Sequence, residues 1–376
     1  MRLRLREPLL YRWLRIKRAL DKRPRPASEL GTPAIRRILA ISCTALGDTL
    51  LTTPALHSLR VAYPQAHITL LVHPALQALF SGLPEVDELI PYDGKWRGFR
   101  RTASLLKRQG YDLACIFHGN EPQATPLAYL SGARHIFKLP NNNRWNFLLS
   151  NRQPVLSWDD LGHGIEQRLT VAQLAGASGD FSRRMSVALA NSLAELGWQS
   201  ANFVAFQPGA STMSRRWPRS RFIAAAQQLA ARHPELRFVV TGSPAEAALC
   251  QEVAAGIEAA APFPGGRRAW ASAGKLPLIA LPALLQRASL LVTGDTGPMH
   301  LAVTVDTPVV ALFAVSDPAR SGPAYDLDKH LVIRKWRTCD PCTSKNCPYP
   351  EPICMDNISV DEVIVAVDSI LRRKLI

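Results

Sequence analysis

The order of apolar segments constrains this chain most, because strand-like runs alternate with helical ones. In the first half, "IRRILAISC", "HITLLVH" and "YDLACIFHG" have the length and apolar content of buried strands. Between them lie the helical patterns "DTLLTTPALHSLRVAY" and "RGFRRTASLLKRQG", with the shorter "VDELIPY". This alternation is typical of a parallel sheet covered by helices, so we expect an α/β fold.

The same order begins again after about residue 200. "NFVAFQ", "LRFVVTG", "LLVTG" and "TPVVALF" are strand candidates, and "PRSRFIAAAQQLAARH" and "SPAEAALCQEVAAGI" are helix candidates, the second with Ser243 as a possible cap. A chain of 376 residues exceeds one ordinary α/β core. We predict two doubly wound, Rossmann-like domains, 35–200 and 201–376, facing each other across a cleft.

The segment before residue 35 has a different composition. Residues 1–25 contain ten Lys or Arg against two carboxylates, and Leu9, Leu10, Trp13, Ile16 and Leu20 recur at helical spacing. One interpretation of residues 1–34 is an amphipathic extension on an anionic membrane surface; the other is a solvated tail or a helix docked on its own domain. The segment is too short and too charged to span a bilayer, and it lacks a signal-peptide cleavage pattern. Either interpretation leaves the protein in the cytoplasm.

The formal net charge of +15 points to an anionic partner. A nucleotide, a nucleic acid, a phosphorylated lipid or a membrane surface would each satisfy it. More than half of the excess lies in the first 25 residues. Charge alone therefore does not choose among these partners.

Seven cysteines fall into two groups. Three of them, Cys43, Cys115 and Cys250, stand in apolar runs and are expected to be buried. The other four, Cys339, Cys342, Cys347 and Cys354, form C-x2-C-x4-C-x6-C in a loop rich in proline. That loop, 339–354, either holds a structural zinc or is braced by thiols or disulfides, and cytosolic conditions disfavour disulfides.

The stretch "LLVTGDTGPMHLA", residues 290–302, reads as a buried strand that turns sharply into a helix. Ligands of doubly wound sheets bind outside the carboxyl ends of the strands. Gly294 and Gly297 allow a sharp turn and a close approach, and Pro298 suits the first helical position. The free amides of that first turn favour a phosphate or diphosphate, to which His300 could add a donor; alternatively, His300 caps or packs against the helix.

"ISCTALGDTLLTTPAL" stands at the matching place in the first half. Asp48 follows the first strand and is expected to project from its carboxyl end. A carboxylate there could act as general base on a hydroxyl. By itself, the residue type favours a helix N-cap instead.

Together with "PGASTMSRRWPRSRF" and "AGKLPLIALPALLQRASLLVTGDTGPMHLA", these motifs resemble the heptosyltransferase family of glycosyltransferases, glycosyltransferase family nine. The resemblance extends from about residue 35 to residue 367 and includes the four-cysteine loop. It implies a GT-B architecture, with an N-terminal acceptor domain and a C-terminal domain for a nucleotide sugar, usually an ADP-heptose. It also implies inverting transfer to a lipopolysaccharide core or related glycan, with no metal required for catalysis.

The resemblance assigns roles to particular residues. Asp48 would be the base, with Gly47 and Thr49 in the acceptor-side loop. Arg215, where many members carry lysine, would offset charge on the leaving diphosphate. The donor would be held by Gly209, Ser211, Thr212, Arg215, Glu246, Asp295, Thr296, Gly297 and His300.

The partners implied are a nucleotide-sugar donor and an anionic, lipid-linked or oligosaccharide acceptor. The basic helix would hold the enzyme at the inner face of the bacterial inner membrane. Alternatives are a GT-B transferase for another sugar nucleotide and a basic nucleic-acid-binding protein with a zinc knuckle. No RNA-binding motif is present, so nucleic acid is not expected as a partner. The first strand lacks a following G-x-G-x-x-G and "SAGKLP" lacks the phosphate-loop pattern, which disfavours a nicotinamide oxidoreductase and an ATPase.

Overall fold

A computed structural model describes the chain at residues 3–23, 25–31, 35–118, 122–179, 181–189, 203–264, 266–339, 342, 347–349 and 351–373, with side chains from residue 7 onward. The chain divides into two compact units, Met1–Ala188 and Leu189–Ile376. The boundary expected at residue 200 falls within 190–202, outside the described residues.

The described part of the N-terminal unit contains one sheet of parallel strands in the order β3-β2-β1-β4-β5. Nearly every residue of the central strands is buried, as expected for a sheet covered on both faces. The strands are β1 (Arg37–Ser42), β2 (His67–Val72), β3 (Glu88–Pro91), β4 (Leu113–Ile116) and β5 (His135–Lys138).

The helices of this unit are α1 (Leu3–Leu20), α2 (Leu46–Leu50), α3 (Thr53–Ala62), α4 (Gln77–Phe80), α5 (Phe99–Gln109), α6 (Ala124–Leu130) and α7 (Gly164–Leu174). Short 3-10 turns lie at Ala27–Glu29, Pro74–Leu76, Asn146–Leu148 and Asp159–Leu161. The segment 48–63, expected to be one helix, is divided between α2 and α3. Pro54 stands in the first turn of α3, where its missing N–H is tolerated.

Helix α1 packs on the N-terminal unit through one face. Leu14 is fully buried in the core of that unit, with Leu10 and Tyr11 packed against it. Glu7 at the start of the helix pairs with Arg144 at 2.7 Å. The docked alternative for the basic extension is therefore correct for this face, whereas other apolar side chains of α1 remain exposed.

The C-terminal unit contains a second parallel sheet in its described residues, in the order β11-β10-β9-β6-β7-β8. Its strands are β6 (Phe203–Gln207), β7 (Arg237–Val240), β8 (Ala269–Ala271), β9 (Leu290–Gly294), β10 (Val309–Phe313) and β11 (Leu331–Arg334). Its helices are α8 (Arg219–Arg232), α9 (Ala247–Ala260), α10 (Leu281–Arg287), α11 (Gly297–Thr304), α12 (Pro318–Ser321), α13 (Ile353–Asp356) and α14 (Val360–Arg373), with 3-10 turns at Met213–Arg215, Pro244–Glu246 and Leu278–Ala280.

The C-terminal helix α14 is tied into this unit by polar contacts just before the helix and from its interior. Trp217 Nε1 donates to the carbonyl of Ile358 at 2.9 Å, just before the helix. Asp368 accepts from Arg232 Nη1 at 2.7 Å and lies 2.8 Å from His233 Nε2, at the end of α8. Burial opposes the shift, but these hydrogen bonds lower the pKa of the Asp368 carboxyl.

Both sheets are doubly wound, so the α/β fold class is confirmed. In each sheet the strand order reverses beside the first strand of the unit: between β1 and β4 in the first, and between β6 and β9 in the second. Ligands of such sheets bind at these switch points, outside the carboxyl ends of the strands. A ligand site is therefore expected at the segments that follow β1, β4, β6 and β9. Among the helices described, none combines the length and apolar character needed to cross a membrane.

Candidate functional site

Asp48 lies in the first turn of α2, beyond the carboxyl end of β1. The N-cap of α2 is Ala45, so the interpretation of Asp48 as a helix cap is wrong. One carboxylate oxygen accepts from Thr44 Oγ1 at 3.1 Å, and the other accepts from Arg168 Nη2 at 2.8 Å. The side chain of Asp48 is 44% exposed, which leaves the carboxylate accessible to a ligand.

Arg168 comes from α7 and was not anticipated from the sequence. Its side chain is only 6% exposed, and Nη1 donates to the carbonyl of Gly164 at 2.9 Å. Nε is buried without a hydrogen-bond partner in the described part of the chain. Burial lowers the pKa of the Arg168 guanidinium, and the Asp48 carboxylate opposes that shift. The buried guanidinium of Arg168, 2.8 Å from the Asp48 carboxylate, holds that carboxylate in one orientation.

Gly47 and Thr49, the other residues expected at the acceptor-side loop, are buried within α2. Thr49 Oγ1 lies 3.2 Å from the carbonyl of Ala45, to which it donates. Both residues therefore have a local structural role in holding the turn that carries Asp48. An acceptor contact by either residue stays a prediction.

A second pair at this edge was also missed from the sequence. Cys43 follows β1 and His118 follows β4, and Cys43 Sγ lies 3.6 Å from His118 Nε2. Both side chains are buried. Cys115 and Cys250 are fully buried as well, so the expected burial of these three cysteines is confirmed.

In the C-terminal unit, β9 ends at Gly294 and the chain turns directly into α11. A Cβ atom at Gly294 would overlap the carbonyl oxygen of Arg215, so only glycine fits where these two loops pass each other. Asp295 is buried, and its Oδ2 lies 3.4 Å from Arg215 Nη1. The structure thus brings together the strand-end motif and the arginine that were expected to serve the donor.

The first turn of α11 has the features of an anion site. Thr296 is its N-cap residue, and the Thr296 side chain makes no capping hydrogen bond. Pro298 stands at the second helical position, one residue later than expected. Thr296 Oγ1 lies 2.8 Å from Thr293 Oγ1, which fixes the turn. The amides of this turn and the dipole of α11 favour a bound phosphate.

His300 lies one turn into α11 and is 4% exposed. This burial agrees with the packed alternative, and the role of His300 in donor binding stays a prediction. Gly297 is the first residue of α11 and directly follows the N-cap residue Thr296. A donor contact by His300 requires a ligand that reaches into the loop.

The segment after β6 is held by its own hydrogen bonds. Arg216 donates from Nε and Nη2 to the carbonyl of Ala210, at 3.1 and 2.8 Å. Gln207 Nε2 donates to the carbonyl of Gly209 at 3.1 Å. Ser211 is exposed and Thr212 is half-buried, so their hydroxyls lie on a loop of defined shape.

Glu246 lies beside this loop. A Cβ atom at Gly209 would overlap the Glu246 carboxylate, so the two expected donor residues are in contact. Glu246 Oε2 accepts from the amide and hydroxyl of Ser243, at 2.8 and 2.9 Å. The expected role of Ser243 as a cap is confirmed for the turn that precedes α9. One oxygen of Glu246 is thus engaged structurally, and the contact with ribose stays a prediction.

The four-cysteine loop is only partly described, because residues 340–341, 343–346 and 350 lie outside the described residues. Cys354 is buried, and Cys339, Cys342 and Cys347 are half-buried free thiols. Burial raises the pKa of the Cys354 thiol, and the nearby Cys342 and Cys347 contribute to that rise. Within the part of the chain that is described, no three potential ligands converge as a metal site requires, so the zinc alternative has no structural support.

The model of glycosyltransferase family 9 (heptosyltransferase) matches residues 100–352. Lipopolysaccharide heptosyltransferase 1 of Pseudomonas aeruginosa is 24% identical, over 89% of this chain and 98% of the relative. Lipopolysaccharide heptosyltransferase 3 of Escherichia coli K12 is 27% identical, over 77% of this chain and 82% of the relative.

Solved structures of this family share the fold of the chain. The crystal structure of a glycosyl transferase of family 9 from Veillonella parvula superposes with a TM-score of 0.73 at 24% identity, covering 90% of this chain and 98% of that one. ADP-heptose lps heptosyltransferase II of E. coli gives a TM-score of 0.72 at 22% identity, covering 90% and 100%. The expected GT-B architecture is confirmed. Since the family model matches about two thirds of its length, the chain belongs to glycosyltransferase family 9, the heptosyltransferases, and is a glycosyltransferase.

Proposed function

We propose that this enzyme transfers a heptose from ADP-heptose to a sugar hydroxyl of a lipopolysaccharide core, with inversion at the anomeric carbon. The names of its relatives support the sugar and the acceptor, since they are lipopolysaccharide heptosyltransferases from several bacteria. A solved structure of an E. coli heptosyltransferase with the same fold contains ADP, which supports the donor base. The observation that carries the proposal is the Gly294–Asp295 turn into α11, packed against Arg215.

On the donor side, that turn holds the diphosphate. The N-terminal amides of α11 bind phosphate oxygens, and Arg215 neutralises the charge that develops as the diphosphate leaves. Thr296, Gly297 and His300 contact the diphosphate and sugar from the same turn. The loop after β6 supplies further donor contacts from Gly209, Ser211 and Thr212. Asp295 orients Arg215, and Glu246 holds the ribose.

On the acceptor side, Asp48 is the general base. The acceptor hydroxyl gives its proton to the Asp48 carboxylate while its oxygen bonds to the anomeric carbon. The bond from that carbon to the donor diphosphate breaks, and ADP leaves with the bonding electrons. Attack opposite the leaving group inverts the anomeric configuration. In this scheme the protein's own amides and guanidinium stabilise the leaving group, and no metal is required.

The exposed face of α1 supports attachment to a membrane. Leu9, Trp13, Ile16 and Leu20 are 65%, 49%, 66% and 81% exposed, and the helical repeat places them within an arc of about 60°. Arg12 and Lys17 flank this stripe on its two sides. We propose that the stripe enters the interface of an anionic bilayer, with the bases at phosphate level. The enzyme would then act on a lipid-linked acceptor at the cytoplasmic face of the bacterial inner membrane.

Thermal unfolding in the presence of ADP, UDP, GDP and their sugars tests the donor. We expect ADP and ADP-heptose to raise the Tm, and His300→Ala to weaken that shift. Asp48→Asn should keep the shift while losing transfer. A larger shift with UDP or GDP would favour a transferase of the same fold that uses another sugar nucleotide. No shift with any nucleotide would refute the donor assignment.

A further inference from the structure

A cavity of about 470 Å³ lies in the N-terminal unit, away from the residues assigned to catalysis. It is formed where three segments meet: the link after α1, the end of α5 with the start of β4, and the turn between α6 and β5. The lining residues are Lys22, Arg23, Arg25, Gly110, Tyr111, Asp112, Gly132 and Arg134. Its volume is typical of a site for a small ligand.

The position of this cavity is opposite to that of Asp48. Asp112 and Arg134 directly precede β4 and β5, so the cavity lies at the amino ends of the strands. Asp48 follows the carboxyl end of β1. Strands of four to six residues separate the two edges, which is about 13–20 Å along the sheet. A ligand in this cavity therefore does not occupy the acceptor position.

The lining carries four bases and one carboxylate. The carboxylate, Asp112, accepts through Oδ2 from the backbone amides of residues 36 and 37, at 2.9 and 3.1 Å, so one of its oxygens is turned to the protein backbone. Arg23 binds Asp21 through Nε and Nη2, at 2.9 and 2.6 Å. Arg25 reaches Glu29 at 3.3 Å.

The other two bases, Lys22 and Arg134, differ from Arg23 and Arg25 in their side-chain contacts. Within the described ranges, the side chains of Lys22 and Arg134 make no ion pair or hydrogen bond. Both are exposed and line the same cavity. These two cations, which no described carboxylate neutralises, attract an anionic ligand.

Gly132 lines the cavity in the turn between α6 and β5. It has φ of +91°, a left-handed conformation that favours glycine, and Arg23 Nη1 would lie 3.5 Å from a Cβ atom there. The ion pair with Asp21 holds this guanidinium over the turn, and Tyr129 donates to the same carboxylate at 2.8 Å. Arg23 is thus preorganised, with a guanidinium edge available to a planar or tetrahedral oxyanion.

We propose that this cavity is a binding site for a phosphate group, either a lipid head group or a free phosphate compound. Phosphate matches the two unpaired cations in charge and the guanidinium of Arg23 in geometry. Leu20, the last residue of the exposed stripe of α1, is 81% exposed and lies two residues before Lys22. A phospholipid head group could therefore enter the cavity while its chains lie beside the stripe. The site does not depend on the identity of the sugar donor.

The test uses the full chain with ADP present, so that phosphate does not report on the donor loop. The double variant Lys22→Gln/Arg134→Gln removes the two unpaired cations. Its matched control is Arg101→Gln/Lys107→Gln, which removes two exposed bases of α5 that do not line the cavity. Both variants should fold, which circular dichroism checks.

One arm titrates inorganic phosphate by calorimetry, and the other measures co-sedimentation with phosphatidylcholine vesicles with and without phosphatidic acid. In at least one arm, the affinity for inorganic phosphate or for phosphatidic acid vesicles should fall at least fivefold in the cavity variant and less than twofold in the control. A selective loss in the phosphate arm identifies a free phosphate ligand, and one confined to phosphatidic acid vesicles identifies a lipid. Equal binding by parent and cavity variant in both arms overturns the proposal, as does an equal loss in the control. If the proposed sugar donor is wrong, ADP and ADP-heptose will instead fail to raise the Tm of the parent and of both variants.

Discussion

The pair formed by Arg168 and Asp48 makes the substitution at residue 48 decisive for both stability and catalysis. In Asp48→Ala, the guanidinium of Arg168, 6% exposed, loses its carboxylate. Breaking a fully buried pair costs about 3–5 kcal/mol. Because the Asp48 side chain is 44% exposed, water can replace part of the interaction, and we expect a loss of about 1–3 kcal/mol.

Asp48→Asn separates this effect from the chemistry. The amide oxygen still accepts from Arg168, so the free energy of unfolding should fall by only about 1 kcal/mol. The proton acceptor is nevertheless lost, and kcat should fall by about 10²–10⁴-fold. The assays are urea unfolding followed by tryptophan fluorescence, and initial rates of ADP release with ADP-heptose and acceptor.

Arg168→Gln tests the positioning role of the arginine. We expect kcat to fall by about tenfold with the donor KM unchanged, because Arg168 acts through Asp48. Lysine at this position should restore part of the rate, since it keeps the charge. Arg60→Gln is the matched control: it removes an arginine that pairs with Asp87 in the same unit, and it should leave kcat unchanged. The reasoning is refuted if Asp48→Asn retains kcat within threefold, or if Asp48→Ala is as stable as the parent.

Three further results are expected. Gly294→Ala forces the donor loops apart and should raise the donor KM at least tenfold, whereas Gly98→Ala, whose Cβ would make ordinary contacts at 3.5 Å, should not. Asp368→Asn should lower the free energy of unfolding at pH 7 by about 1–2 kcal/mol. Because folding lowers the pKa of Asp368, its carboxylate stabilises the folded state above the unfolded-state pKa, and this stabilisation declines as the pH falls below about 4. Urea unfolding should therefore show the difference in free energy of unfolding between parent and variant shrinking by pH 3. Ile16→Glu should reduce binding to anionic vesicles severalfold, and Val61→Glu, at a site 63% exposed on α3, should not; equal losses would refute the α1 stripe.

The sequence determined the two parallel sheets because each central strand is a nearly unbroken apolar run. Such runs are buried on both faces, and their alternation with helical patterns leaves few topologies. Short edge strands carry less of this signal: β8 has three residues and β11 alternates in exposure, and neither was predicted. The strand-end turn at Gly294 and Asp295 was readable too, since glycine, aspartate and proline direct the backbone locally.

Only the tertiary structure decided which partners these motifs meet. Arg168 stands 120 residues after Asp48, and its pairing depends on where α7 packs rather than on any local pattern. The need for glycine at residue 294 likewise arises from the carbonyl of Arg215, on another loop. The spacing of α1 revealed an amphipathic helix but not its buried face, because hydrophobic periodicity records apolar positions without saying which surface covers them. Contacts across sequence distance follow from packing, which no short stretch of sequence encodes.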